Sequence, residues 1–276
     1  MTFVVDRSME WYYRTPSYNL TRYVMLVVVS LLCGLILTDV DYASYPGINS
    51  GMGIIDTAMV FNGFAAFTSV ILITSMERAS QTYSAFWYLI GSTCAEIPYV
   101  LSSALLFTAI FYPLMGFRGV GAAVIFWLNF LLMLLMKTYL GHLFVYALPS
   151  IEVVATIGIL LLNILVLFMG FSPPAIAMPA DYMCSTRPIR CASLRGLLCR
   201  LNLRRAQGQW SNVGSELGCH PLANSPVKFG HLTVKSFMED VFEIKHDDIA
   251  ANFAAMLDCM VLFRVLGLLI LRYINY

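Results

Sequence analysis

Residues 85–114 read AFWYLIGSTCAEIPYVLSSALLFTAIFYPL, a run whose one charged side chain is Glu96. A membrane-spanning helix needs about 20 largely apolar residues to cross about 30 Å of hydrocarbon. This run is too long for one span, and Glu96-Ile97-Pro98 lies inside it. Proline removes a backbone donor, and the residue before it avoids helix. The expected arrangement is a helix at the membrane surface from Ser84 to Glu96, followed by a span from Ile97 to Leu114.

Five further apolar segments lie to either side: Leu20 to Thr38, Ile54 to Ser75, Val120 to Met136, Val153 to Phe171 and Ala250 to Leu271. The expected fold class is therefore an all-α membrane protein with six spans. Composition agrees. Hydrophobic residues make up 59% of the 276-residue chain and charged residues 12%, about half the charge of a soluble domain. That excludes a disordered chain and argues against a soluble enzyme. A net charge of +1 implies no pull on nucleic acid. The sequence carries no CxxC or HExxH metal motif, and no GxxxxGKS/T or GxGxxG phosphate loop. The chain is thus expected to hold no metal and to be no enzyme.

Basic residues in short loops favour the cytosolic side. With the N-terminus inside, the inner segments hold Arg7, Arg14, Arg22, Arg78, Lys137 and Arg272, and the short outer loops hold Arg118. Both termini are then cytosolic, and residues 172–249 form a large external loop. Before the first span, Trp11, Tyr12, Tyr13 and Tyr18 alternate with basic residues. Such rings and cations sit well at a membrane interface.

Several stretches share an order and spacing with one family. They are YRTPSYNLTR (13–22), ERASQTYSAFWY (77–88), AEIPY (95–99), TYLGHLFVYALP (138–149), FMGFSPP (168–174) and FRVL (263–266). In these the chain resembles the membrane domain of ABC exporters of subfamily G, of the pleiotropic drug resistance type, in its C-terminal half. The resemblance implies a single membrane domain over 1–276, with residues 1–19 as a connecting helix, spans one to five over 20–171, and the sixth span over 250–271. It implies that Glu77, Arg78, Tyr83 and Glu96 belong to a coupling helix that receives motion from a nucleotide-binding domain. It implies a substrate cavity lined by Phe64, Phe67, Asn163 and Val166, with Phe171 near a hydrophobic gate. The implied partners are nucleotide-binding domains, a second membrane half, the plasma-membrane bilayer and a hydrophobic substrate. ATP and Mg2+ would be held by those other domains.

Asn163 interrupts an apolar run, and a buried amide needs a partner. A hydrogen bond between helices is the plain alternative to ligand contact, and packing is the plain alternative for Phe67. Asp258 and Arg264 lie six residues apart in the sixth span, so they do not share a helix face. Asp258 would mark a proton site if the chain were an ion-coupled carrier. Lys137 is expected to snorkel from the end of the fourth span. Cys33, Cys94 and Cys259 read as packing residues.

Two stretches depart from the family pattern. The aromatic and charged FYRE-type run that usually precedes Glu77-Arg78 is missing. Residues 184–207 replace an expected aromatic segment with an arginine-rich one. Trp-Leu-Tyr written TGG CTC TAC becomes Cys-Ser-Thr on loss of one G, so residues 184–207 read as an out-of-frame translation. Both departures favour the alternative of a non-transporting fragment of a damaged transporter gene.

Overall fold

The computed structural model describes residues 10, 14, 16–38, 40, 44–78, 85–116, 120–167, 224, 237 and 249–273. Their regular structure is helical: α1 (Pro16–Ile36), α2 (Tyr45–Arg78), α3 (Ala85–Leu114), α4 (Val120–Ala147), α5 (Ile151–Leu167) and α6 (Ile249–Tyr273). Four helices carry stretches long and apolar enough to cross a membrane: Tyr45–Ile71, Phe86–Leu114, Ala123–Ala147 and Phe253–Tyr273. The apolar runs of α1 and α5, Leu20–Ile36 and Ile151–Ile164, are shorter. The expected external loop, residues 172–249 and with it 184–207, lies outside the described residues apart from Asn224, Phe237 and Ile249. Most of the connecting helix lies outside them too. Glu10 and Arg14 are described, are helical, and form an exposed i,i+4 ion pair at 2.8 Å.

The expected break at Pro98 is corrected. Helix α3 runs unbroken from Ala85 to Leu114 with Pro98 inside it. The physical reason lies on α1, which grips α3 on both sides of the proline. Arg22 bonds Glu96 before Pro98, and the hydroxyls of Tyr23 and Ser102 bond after it. A proline is tolerated in a membrane helix when neighbouring groups hold the adjoining turns. The surface helix and the third span are therefore one rod.

Contacts along the helices give their directions. Near its C-terminal end α1 meets the end of α3, since a Cβ added to Gly34 would lie 2.6 Å from Leu114 Cδ1. With Arg22 on Glu96 at the other end, α1 and α3 run parallel. Helices α3 and α4 run opposite, because late α3 rings meet early α4 rings. Phe107 stacks on Phe130 with centroids 4.1 Å apart, and Phe111 stacks on Phe126 at 6.2 Å. Gly63 against Lys137 and Phe67 against Gly141 set α2 parallel to α4.

The main core fills the space between α1, α2, α3 and α4. Its fully buried rings include Phe107, Phe111, Phe126 and Phe130, with Ile55, Ala58 and Met59 from α2 beside them. Lipid tails are as apolar as these side chains, so helix association rests on shape and dispersion. Offset ring stacks supply both. Phe107 stacks on each of Phe111, Phe126 and Phe130. Phe107→Ala is expected to lower stability by about 3–5 kcal/mol, read as a fall in the thermal unfolding midpoint in detergent. Phe107→Leu should cost less than half of that.

Candidate functional site

At the end where α1 and α3 begin, polar side chains converge inside the bundle. On α1, Arg22, Leu26, Val29 and Ser30 share the buried face, as the 3.6-residue period requires. On α3, Ser92, Glu96, Ser103 and Phe107 do the same. A buried cation and a buried anion thus face each other across two helices. Arg22 Nη1 donates to Glu96 Oε2 at 3.1 Å, and the two side chains are 3% and 0% exposed. Either charge alone in this place would be costly, because burial strips its hydration.

Helix α4 adds Tyr139, His142 and Tyr146, spaced three and four residues apart and buried together. The Arg264 guanidinium of α6 lies 3.6 Å from the centre of the Tyr139 ring. His142 stacks nearly parallel on Tyr146 at 5.9 Å, and Tyr88 of α3 meets Tyr146 edge-on at 6.1 Å. His142 lies within electrostatic reach of both Arg264 and Arg22. Four helices therefore contribute to one polar node. Arg264 reaches the neighbouring helix α4, while Asp258 is exposed on α6.

The reading of Lys137 is corrected. It does not snorkel to an interface, because α4 continues to Ala147 and buries it at 4% exposure. Its aliphatic stem lies over Gly63 of α2, where an added Cβ would come within 3.3 Å of Lys137 Cγ.

The expected coupling residues are now separable. Glu77 and Arg78 are the last residues of α2, and their side chains lie outside the described residues, as does the whole of Tyr83. Glu96 is in the interior, not on a surface open to another domain. Its contact with α1 is through Arg22.

The expected cavity residues separate as well. Phe67 is fully buried. Its ring occupies a notch made by Gly158 of α5, where an added Cβ would collide with Phe67 Cζ, and its backbone meets Gly141 of α4. Phe144 meets the ring edge-on at 6.1 Å. Phe67 is thus a packing residue in this conformation, at the centre of a second core cluster with Ile71, Leu140, Val154 and Leu162. Phe64 is partly buried against the same cluster. Asn163 is exposed, and its amide donates to the Ile159 carbonyl one turn back at 2.8 Å. That bond stays within α5 rather than joining two helices. The Val166 side chain and Phe171 lie outside the described residues. Among the described residues no group of His, Cys, Asp and Glu is arranged to hold a metal ion.

The residues missed in sequence are Tyr139, His142 and Gly158. The first two sit with Tyr146 on one helical face of the run TYLGHLFVYALP, which was the available signal. Gly158 gave none.

The helical bundle and its polar node occur in a chain whose residues 1–192 match the ABC-2 type transporter family. The chain belongs to the ABC-2 type transporter family. With that membership and its apolar helices, it is an integral membrane protein. It is similar to "ABC transporter G family member 30" of Arabidopsis thaliana, at 30% identity over 253 residues, covering 87% of this chain and 17% of the relative. It is 29% identical to "ABC transporter G family member 41" of the same plant, with the same coverage. It is 28% identical to "ABC transporter G family member 36" of Oryza sativa, covering 85% of this chain and 16% of the relative. The chain thus spans about a sixth of the length of these curated relatives.

If Phe67 is held as packing, its loss should be felt in stability first. Phe67→Ala should cost about 3–5 kcal/mol, and Gly158→Leu should lower the unfolding midpoint by a similar route, through collision with the ring. Thermal unfolding in detergent checks both. A Phe67→Ala variant of unchanged midpoint would contradict the packing.

Proposed function

We propose that this chain works as one transmembrane half of an ATP-driven exporter of hydrophobic or xenobiotic compounds, of the pleiotropic drug resistance type. It would act with nucleotide-binding domains and a second membrane half, supplied by the same longer polypeptide or by partner chains. The observation that carries the reading is the family match over residues 1–192 on a bundle whose first helix is tied to its third by a buried ion pair. An exporter of this kind must convert motion at the cytosolic side into motion among spans. A rigid tie between α1 and α3 suits that task, because α1 continues from the aromatic and basic segment around Glu10 and Arg14.

The opposite directions of α1 and α3 against α2 and α4 support helices that cross in alternation, and the reading adds six spans, both termini cytosolic, residues 172–249 outside and a plasma-membrane location. ATP and Mg2+ would sit on the other domains, since this sequence carries no phosphate loop. Those domains would supply the energy of hydrolysis. This chain's own residues would shape and repack the route of the substrate. Each cycle would bias an inward-open against an outward-open arrangement. For a ligand to reach Phe67, its ring would have to leave the Gly158 notch. The exposed face of α5, with Ile157, Leu160, Asn163 and Ile164, is the side offered to a second half.

A second reading, a non-transporting remnant, draws on the arginine-rich residues 184–207 and the shortened run before Glu77. The two readings part in one experiment. Residues 1–276 are grafted in place of the corresponding membrane half of a plant G-family relative, and uptake of a hydrophobic dye is measured in inside-out membrane vesicles. The exporter reading expects ATP-dependent uptake well above that of a hydrolysis-dead graft. Uptake equal in the two, with the graft present in the membrane at normal level, would support the remnant.

A further inference from the structure

We propose that the polar node between α1, α4 and α6 encloses one small inorganic monoanion of the halide class, bound by Arg264 and His142 with Arg22 nearby. Three observations carry this. The Arg264 nitrogens Nε, Nη1 and Nη2 are all sealed from solvent and have no hydrogen-bond partner. Both ring nitrogens of His142 are likewise sealed and unpartnered, on a side chain 1% exposed. Among the described residues the charges of the node are unequal, for Arg22 is paired with Glu96 while Arg264, over Tyr139 one turn before His142, has no paired acid.

Buried polar groups in native proteins are nearly always hydrogen-bonded, and an exception calls for a water or an ion. The Tyr139 ring beneath Arg264 offsets part of the charge. An aromatic face at that site accepts none of the in-plane N–H groups, of which a guanidinium has five. Those donors therefore meet no acceptor among the described residues. Water could accept from them but would leave the surplus cation uncompensated. A monoanion would do both. Asp258 does not serve, because it lies on an exposed part of α6 six residues from Arg264. The sealing of the guanidinium selects a small ion over a lipid phosphate, whose glycerol would have to stay in the bilayer.

The test uses the 276-residue chain in phosphatidylcholine nanodiscs. Thermal unfolding is followed as sodium gluconate is exchanged for sodium chloride, then bromide, at constant ionic strength. A saturable rise of about 4 °C is expected, on the scale of a ligand well above its dissociation constant. Arg264→Gln should abolish the rise, and Asp258→Asn should leave it. Where Arg264→Gln does not fold, His142→Phe keeps a ring on Tyr146 and removes both nitrogens. It should raise the chloride midpoint at least tenfold. The proposal is overturned by equal midpoints in gluconate and chloride, or by a chloride response that Arg264→Gln or His142→Phe leaves intact. A rise that requires anionic lipid and ignores chloride would assign the node to a headgroup phosphate and overturn the enclosed ion. The measurement is independent of transport, so it stands or falls separately from the exporter reading.

Discussion

A guanidinium and a carboxylate, 3.1 Å apart and almost wholly removed from solvent, join α1 to α3. Much of the structure depends on this contact. It fixes the register of the two parallel helices at one end, while the close approach of Gly34 and Leu114 fixes it at the other. It also holds the turn before Pro98, and so lets α3 continue as one rod. Buried ion pairs are poor sources of net stability, because desolvation of both partners offsets most of their attraction. Their strength lies in specificity. Any slip of α1 along α3 would leave two naked charges in an apolar interior, which penalises every alternative register far more than it rewards the native one.

The same logic connects the fold to its proposed work. Helix α1 links the aromatic and basic segment to the bundle, and Arg22 is its one buried charge. In the proposed exporter, a displacement of that segment would be handed to α3 at Glu96, and from α3 to α4 through the stacked phenylalanines. Helix α4 in turn meets α6 where Tyr139 lies under Arg264. On α5, by contrast, the Gly158 notch for Phe67 is a pocket filled by the protein itself, and this is where a rearrangement could open space.

The sequence made the helices legible because apolar runs of span length have few other uses. Four of the six expected spans fall inside the helices found, Leu20 to Thr38 runs past the end of α1 at Ile36, and the end of Val153 to Phe171 lies outside the described residues. Pro98 was misread, since local chemistry alone says that proline ends a helix, and nothing near it in sequence reveals that α1 clasps both sides. Lys137 was misplaced for a related reason: the apolar run was ended at Met136, although Tyr139, Leu140 and Val145 continue the same buried face. Arg22 and Glu96 both stood in family-like stretches, yet 74 residues separate them, and no spacing rule pairs residues across helices. For Phe67 the residue alone favours packing and only the family resemblance raises ligand contact, and the Gly158 notch agrees with packing in this conformation. For Asn163, a polar residue in an apolar helix, the helix backbone itself proved a sufficient partner.

The tie between Arg22 and Glu96 is tested most directly by a double-mutant cycle on the unfolding of the full chain in nanodiscs. Arg22→Met and Glu96→Met should each cost about 3–5 kcal/mol, because each strands a buried charge, while the double variant should cost much less than the sum. A coupling energy of several kcal/mol is the expected result. Additive losses, with the double variant as damaged as the two singles together, would show that the charges do not depend on each other and would contradict the tie.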